Sequence, residues 1–356
     1  MEANDHPGSL VDSPVTSGST DVRIADQEPE VDKYGFTGGK QYTVHSVTDI
    51  SSIETVRKRE AKWLAMIADW NRWMSRKFSK IKKRCRKGIP SSLRGKVWPL
   101  LCRSMDLKEK SQLTFYSLAQ QEISDVIVDE ISKDLHRQFP FHEMFNDQDG
   151  TGQQDLRAVL HAYAAFNSAD GYCQAQAPIA AVLLMHMPAE DAFWCMAAIF
   201  QNYIPGYFSS GLETVQVDAL IMQSLLKKVC PSAHAHLEKQ HINPMLYCTE
   251  WFMCIFARTL PWPSVLRLWD MFLCEGIKVV FQCALVLLRT ALGNPAVLKS
   301  CTGMYETLER IKHLDKEHLL PDVLVREIVS LKMSKSDFEK EHKRQKKLWE
   351  MKKVAK

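Results

Sequence analysis

From residue 53 onward the apolar residues recur at three- and four-residue steps. Between Ile53 and Ile81, the residues Trp63, Met66, Ile67, Trp70, Trp73 and Met74 fall on one helical face with bases between them. Lys87-Gly88-Ile89-Pro90-Ser91-Ser92 reads as a turn feeding a helix, with Ser91 or Ser92 as its N-cap. Helical stretches then follow over about 92–104, 111–137, 152–167, 174–186, 188–203 and 210–229. They continue over about 231–239, 245–258, 261–275, 277–291, 297–312 and 317–331. Short breaks separate most of them, as at Pro188, Pro205-Gly206, Pro231, Pro261, Pro263 and Gly276. Alternation of β-branched residues is almost absent, and no fixed-period repeat is visible. The pattern predicts an all-α protein.

The two ends depart from this pattern. Residues 1–40 are rich in Ser, Asp, Pro and Gly, and cannot bury enough apolar surface to offset ordering entropy; they are expected to be disordered. Within them Tyr34, Gly35, Phe36, Gly38 and Gly39 form an aromatic–glycine patch able to dock as an arm. Beyond Leu331 the chain becomes basic and helix-permissive with few apolar positions. It reads either as a frayed, solvated helix or as a lipid-contact tail. The organisation expected is an acidic tail over 1–40, an arm and basic Trp-rich helix over 41–86, one large domain over 87–331 and a basic tail over 332–356.

Charge changes the picture through its distribution. The net charge of +4 over 356 residues does not point to nucleic acid. Residues 1–33 carry eight acids against two bases, whereas 57–87 carry thirteen bases against two acids. The basic helix is open to two readings: contact with acidic lipid or a partner, or a Trp stripe packed on the core with solvated Lys and Arg. The ten cysteines are scattered without a CxxC pair, and the first thirty residues lack the apolar segment of a signal peptide, so free thiols in a reducing compartment are expected. The run Val279–Leu292 is too short and too polar to span a bilayer, so any membrane contact is expected to be peripheral.

Autonomous chemistry is hard to find. There is no GxxxxGK[ST] phosphate loop, no GxGxxG after a strand, no kinase signature and no GxSxG. His234 and His236 lack the company a zinc site needs, and Cys173 has no histidine at a fixed spacing. Two polar groups stand out instead. In Ile131–Pro140 the residues Ile131, Asp134 and Arg137 share about 120° of one helical face, with Pro140 placing Arg137 near a helix end. In Gly171-Tyr172-Cys173-Gln174, Gln174 sits at the N-terminal mouth of an apolar helix. The spacing alone allows an Asp134–Arg137 surface pair and a Gln174 helix cap, or a pair of groups presented to a partner.

Taken in order, these segments resemble the TBC domains, which activate Rab-type small GTPases. Arg94 to Trp98 is similar to their RxxxW motif, Ile131, Asp134 and Arg137 to IxxDxxR, and Tyr172-Cys173-Gln174 to YxQ. The flanking segments Gln153–Leu160, Tyr247–Phe252, Leu260–Pro263 and Arg267–Asp270 agree, so the resemblance runs from Lys87 to Leu331. Many members carry Gly-Met after YCQ; Ala175-Gln176 stands here, as in a subgroup whose vertebrate members bind ezrin-linked scaffolds. The chain ends Val-Ala-Lys, which is not a PDZ-binding sequence and argues against that link.

The resemblance implies a two-lobed helical domain whose partner is a GTP-bound Rab-family GTPase. It implies that Arg137 is an arginine finger and that Gln174 replaces the GTPase's own glutamine in orienting water. Asp134 would orient an arginine, either Arg94 or Arg137 itself. Ile131, Trp98 and Tyr172, with Cys173 beside them, would pack the two finger-bearing segments together. GTP and magnesium come with the GTPase, so the chain needs no cofactor, and a cytoplasmic protein recruited peripherally to vesicles, endosomes or the cortex is expected. The alternative is an adaptor that binds GTP-loaded GTPases without catalysis, and a lipid-responsive use of 57–87 is compatible with either.

Overall fold

The computed structural model describes residues 31–38, 53–331 and 333–354. Among them the chain is helical throughout, with a single isolated β-bridge between Phe36 and His142. The N-terminal strip is α1 (Ile53–Ile67), α2 (Trp70–Arg76) and α3 (Phe78–Lys87). A first lobe follows: α4 (Ser91–Cys102), α5 (Ser104–Lys110), α6 (Phe115–Ala119), α7 (Asp125–Leu135), α8 (Thr151–Phe166), α9 (Gln176–Leu184) and α10 (Ala189–Asn202). The second lobe holds α11 (Glu213–Val229), α12 (Pro231–Lys239) and α13 (Met245–Met253). After α14 (Trp262–Glu275) it continues with α15 (Lys278–Leu292), α16 (Pro295–Ser300), α17 (Met304–Lys312), α18 (Pro321–Ser330) and α19 (Lys335–Val354).

Packing explains the order. Helix α9 is apolar on every side, which suits only a buried helix, and it lies against α8 and α10. In the second lobe α15 plays that part, with Val279 to Leu288 all buried. Helix α14 joins the lobes, packing on α3 and α4 on one side and on α15 and α18 on the other. One apolar cluster runs through both lobes.

Several expectations change on contact with the structure; the helix expected over 297–312, for one, is two, α16 and α17. The helix expected over 111–137 is two helices, α6 and α7. Thr114 and Ser117 form a reciprocal capping box at the start of α6, and the chain is non-helical again by Gln121. The N-cap of α4 is Pro90, so Ser91 and Ser92 begin the helix instead of capping it; Ser91 accepts from Arg94 and Ser92 donates to Glu60. Beyond Leu331 the chain is not frayed. Phe338 inserts against Phe281 at 4.8 Å, and Glu341, buried, accepts from Lys228, Arg344 and Gln345, seating α19 on α11.

The disorder expected over 1–40 is corrected at 31–38, where the chain is docked through a buried Phe36; the remainder of that expectation lies outside the described residues. The basic strip packs its Trp stripe inward, with Trp63 and Met66 buried and Trp70 and Trp73 half-buried. Several of its bases have internal partners. Lys82 and Arg86 pair with Glu275, Arg59 donates to the Lys87 carbonyl, and Arg84 donates to the Lys62 carbonyl. No helix among the described residues is long and apolar enough to cross a membrane.

Candidate functional site

Arg137 stands two residues beyond the end of α7, so only Ile131 and Asp134 of the trio lie on the helix itself. The turn is closed by Arg137 N donating to the Asp134 carbonyl at 3.2 Å and by Gln138 Nε2 donating to the same oxygen at 3.1 Å. Phe139 then takes a positive φ of 45° with its ring buried, a costly backbone state for an aromatic residue that the surrounding packing must hold. Gln138 and Phe139 point inward, leaving the Arg137 side chain 50% exposed.

The second segment is the loop before α9. Asn167 donates to Asp170 at 2.7 Å and to the Tyr163 hydroxyl at 3.2 Å, which pins the loop's start. Gly171 has a φ of +55°, where a side chain would be strained. Its carbonyl accepts from Gln176 Nε2 at 3.3 Å, while Gln176 N donates to Cys173 O at 2.8 Å, bracing the loop from within. Gln174 is exposed and its side chain has no hydrogen-bond partner among the described residues. It does not cap α9, whose N-cap is Ala175 without a side-chain bond.

One carboxylate ties the two segments together. The Tyr172 hydroxyl donates to Asp134 Oδ2 at 2.8 Å, and Arg137 Nη1 lies 3.5 Å from Asp134 Oδ1. Burial, reinforced by that carboxylate, pushes the Tyr172 phenol far above its ordinary range, so it stays a donor. Burial also raises the half-buried Cys173 thiol, which makes it a poor nucleophile. Of the two arginines that Asp134 was expected to orient, it touches Arg137 and not Arg94.

Arg94 is committed elsewhere. Its Nε and Nη2 each lie 3.2 Å from an oxygen of Asp270, a fully buried carboxylate on α14. Trp98 Nε1 donates to Asp270 at 2.9 Å and Ile89 N at 2.8 Å. The Arg94–Trp98 motif is therefore a clamp between α4 and α14, and Arg94 has no part in the exposed site. Asp270 lies in a segment that sequence reasoning treats only as flanking. The available signal is an acid placed among Leu266, Trp269 and Leu273 on a helix, where a charge needs a buried partner.

Trp98 still reaches the Arg137 turn through rings. It meets His186 edge-on at 4.8 Å, His186 lies over Trp262 at 6.4 Å, and Trp262 meets Phe139 at 5.6 Å. Burial, with Arg94 nearby, pushes the His186 imidazole down to about 3, so it serves this chain of rings as a neutral aromatic. Ile131 is buried on α7 with Leu135. Among the described residues no group of three or more His, Cys, Asp or Glu could hold a metal ion. His236 is bonded to Thr307, and His234 lies 3.6 Å from Glu238.

The signature of the Rab-GTPase-TBC domain matches residues 91–292, more than half of the chain. This chain belongs to the Rab-GTPase-TBC domain family. It is 53% identical over 320 residues to mouse TBC1 domain family member 10B, covering 90% of this chain and 40% of that protein. It is 50% identical to mouse TBC1 domain family member 10A, with 91% and 64% covered, and 45% identical to Drosophila TBC1 domain family member whacked, with 88% and 86% covered. The chain thus spans well under half the length of member 10B and just under two thirds of member 10A. The Chlamydomonas flagellar RabGAP TBC domain shares the fold at a TM-score of 0.62 and 23% identity, over 84% of this chain and 99% of that one. The Ypt/Rab-GAP domain of Gyp1p does so at 0.51 and 14%, over 83% and 99%. In this TBC domain the RxxxW residues brace the interior, and the IxxDxxR and YxQ residues meet through the buried Asp134 and the half-buried Tyr172.

Proposed function

We propose that this chain accelerates GTP hydrolysis on a Rab-class GTPase by supplying Arg137 and Gln174 in trans. The observation that carries the proposal is the shared Asp134, which pairs with Arg137 and accepts from the Tyr172 hydroxyl, so that it ties together the two segments on which the exposed Arg137 and Gln174 stand. Charge grows on the β–γ phosphate oxygens during hydrolysis, and the attacking water is poorly held in an isolated GTPase. A guanidinium stays charged and presents a planar fork to those oxygens, and a primary amide can both donate to and accept from water. An arginine finger contributes about 10³–10⁵ in rate, roughly 4–7 kcal/mol. Magnesium and GTP belong to the GTPase.

In this proposal Asp134 aims Arg137, and Tyr172 fixes Asp134. Ile131 and Cys173 seat the two segments, and Arg94 and Trp98 act at a distance through Asp270 and the ring chain. The catalytic unit is the domain 87–331, flanked by the tail 1–40, the arm and basic helices of 41–86, and the helix within 332–356. Recruitment to membranes is peripheral, and bases with no internal partner among the described residues, such as the exposed Arg76 and Lys83, offer a surface for acidic lipid.

The test is single-turnover hydrolysis across a panel of GTP-loaded Rabs, with wild type, Arg137→Ala and Gln174→Ala. Acceleration by wild type and its loss in both variants is expected. If no Rab is accelerated, or both variants keep full activity, the proposal fails. GTP-dependent binding without acceleration would instead establish an adaptor.

A further inference from the structure

The segment 31–38 is built into the turn that carries Arg137. Asp32 organises it: its Oδ1 accepts from Tyr34 N at 2.8 Å and from Phe36 N at 3.0 Å, and its own N–H donates to the Phe36 carbonyl. This compact loop then bonds along residues 141–143. Thr37 N donates to Phe141 O at 2.8 Å, and Glu143 N donates to Gly35 O at 2.8 Å. Met144 N donates to His142 Nδ1, which therefore lacks a proton, so Nε2 carries it and donates to Tyr34 O at 3.0 Å. Gly35 has a φ of +90°, and a Cβ there would stand 2.6 Å from His142 Nε2; the imidazole needs the space that only glycine leaves.

The Phe36 ring completes the joint. It is 1% exposed and lies edge-on to His142 at 4.9 Å, Trp262 at 5.3 Å and Phe139 at 6.3 Å. Phe139 is the residue with the positive φ, two positions after Arg137. Nothing in the turn's own sequence favours that backbone state, so its neighbours must maintain it. Phe36 and Trp262 close on the Phe139 ring from the arm and from α14. The arm thus adds two main-chain hydrogen bonds and one buried aromatic to the segment that immediately follows Arg137.

We infer that the 31–38 arm is a positioning element for Arg137, with Phe36 as its positioning residue, and that undocking the arm loosens the finger without abolishing partner binding. The inference deepens the proposed GTPase activation and rests on it for its kinetic readout. A finger displaced by about 1 Å loses a large part of its effect, so a turnover loss of about 10- to 100-fold is expected.

Two measurements test it on the full chain. The first is GTP hydrolysis by a responsive Rab, as stimulated by Phe36→Ala, Phe36→Leu and Gly35→Ala. Phe36→Ala and Gly35→Ala should lower kcat with KM within about twofold of wild type, and Phe36→Leu should restore much of it. The second needs no GTPase: amide hydrogen exchange over residues 136–143 should rise in Phe36→Ala, while that of α8 to α10 stays unchanged. Unchanged exchange over 136–143, or a KM rise with kcat intact, overturns the inference. So does exchange that rises throughout the domain, since that would make Phe36 an ordinary core residue. If wild type activates no Rab, the proposed function falls, and the exchange measurement still decides whether the arm holds the turn.

Discussion

Replacing Asp270 by alanine is the sharpest probe of the interior clamp. The carboxylate receives two bonds from Arg94, one from Trp98 and one from Ile89 N, at 2.8–3.2 Å, and has no exposed surface. Its removal leaves a guanidinium that is 5% exposed without a counter-charge, a loss of about 3–5 kcal/mol in comparable buried pairs. Two N–H groups also lose their acceptor, at about 1–3 kcal/mol each when measured singly. The groups share one acceptor, so these values do not add, and about 4–6 kcal/mol is expected for the whole, a large fraction of a typical domain's stability. Urea unfolding followed by circular dichroism and tryptophan fluorescence would measure it. Arg94→Met combined with Asp270→Leu removes the charge and its partner together, and is expected to cost much less than the two single changes summed. An Asp270→Ala variant within about 1 kcal/mol of wild type, or a double variant that merely adds the singles, would refute the clamp.

Other outcomes follow from the same geometry. Tyr172→Phe removes the donor to Asp134 while keeping the ring, so kcat on a responsive Rab should fall about tenfold with KM little changed, as a stopped-flow phosphate assay would show. Arg137→Lys keeps the charge but loses the fork, and should behave like Arg137→Ala in single-turnover hydrolysis. Burial raises the Asp218 carboxyl from 3.8 to about 7 although Tyr207 donates to it, so the folded chain holds this proton more tightly than the unfolded one. The associated stability is complete below about pH 4 and is lost as pH rises to about 7, by an amount on the order of 4 kcal/mol. Asp218→Asn should flatten the dependence of the melting temperature on pH between about 4 and 7, and an unaltered slope would contradict the assignment.

The helical map was legible because it depends on local pattern. α9, α12 and α15 announce themselves through Pro and Gly breaks and apolar runs. The break between α6 and α7 was not, because no Pro or Gly marks it and the Thr114–Ser117 box shows only as two hydroxyl residues. The α4–α5 junction is hidden for a similar reason: Arg103 takes the left-handed conformation that glycine usually signals. The docking of α19 through Phe338 and the seating of Phe36 depend on partners far away in sequence, and a lone aromatic in a polar segment does not name its pocket. Arg137 and Gln174 could be singled out by register with family motifs. What sorted their supporting residues was tertiary contact, which gave Asp134 to Arg137 and Arg94 to Asp270.

The Asp134–Tyr172 bond has a consequence for the timing of encounter. It forms within the free protein, so the ordering entropy of both segments is met during folding and not when a partner arrives. Association should then proceed as the docking of two ready surfaces. Observed rates would rise linearly with partner concentration and show no plateau from a slow internal rearrangement.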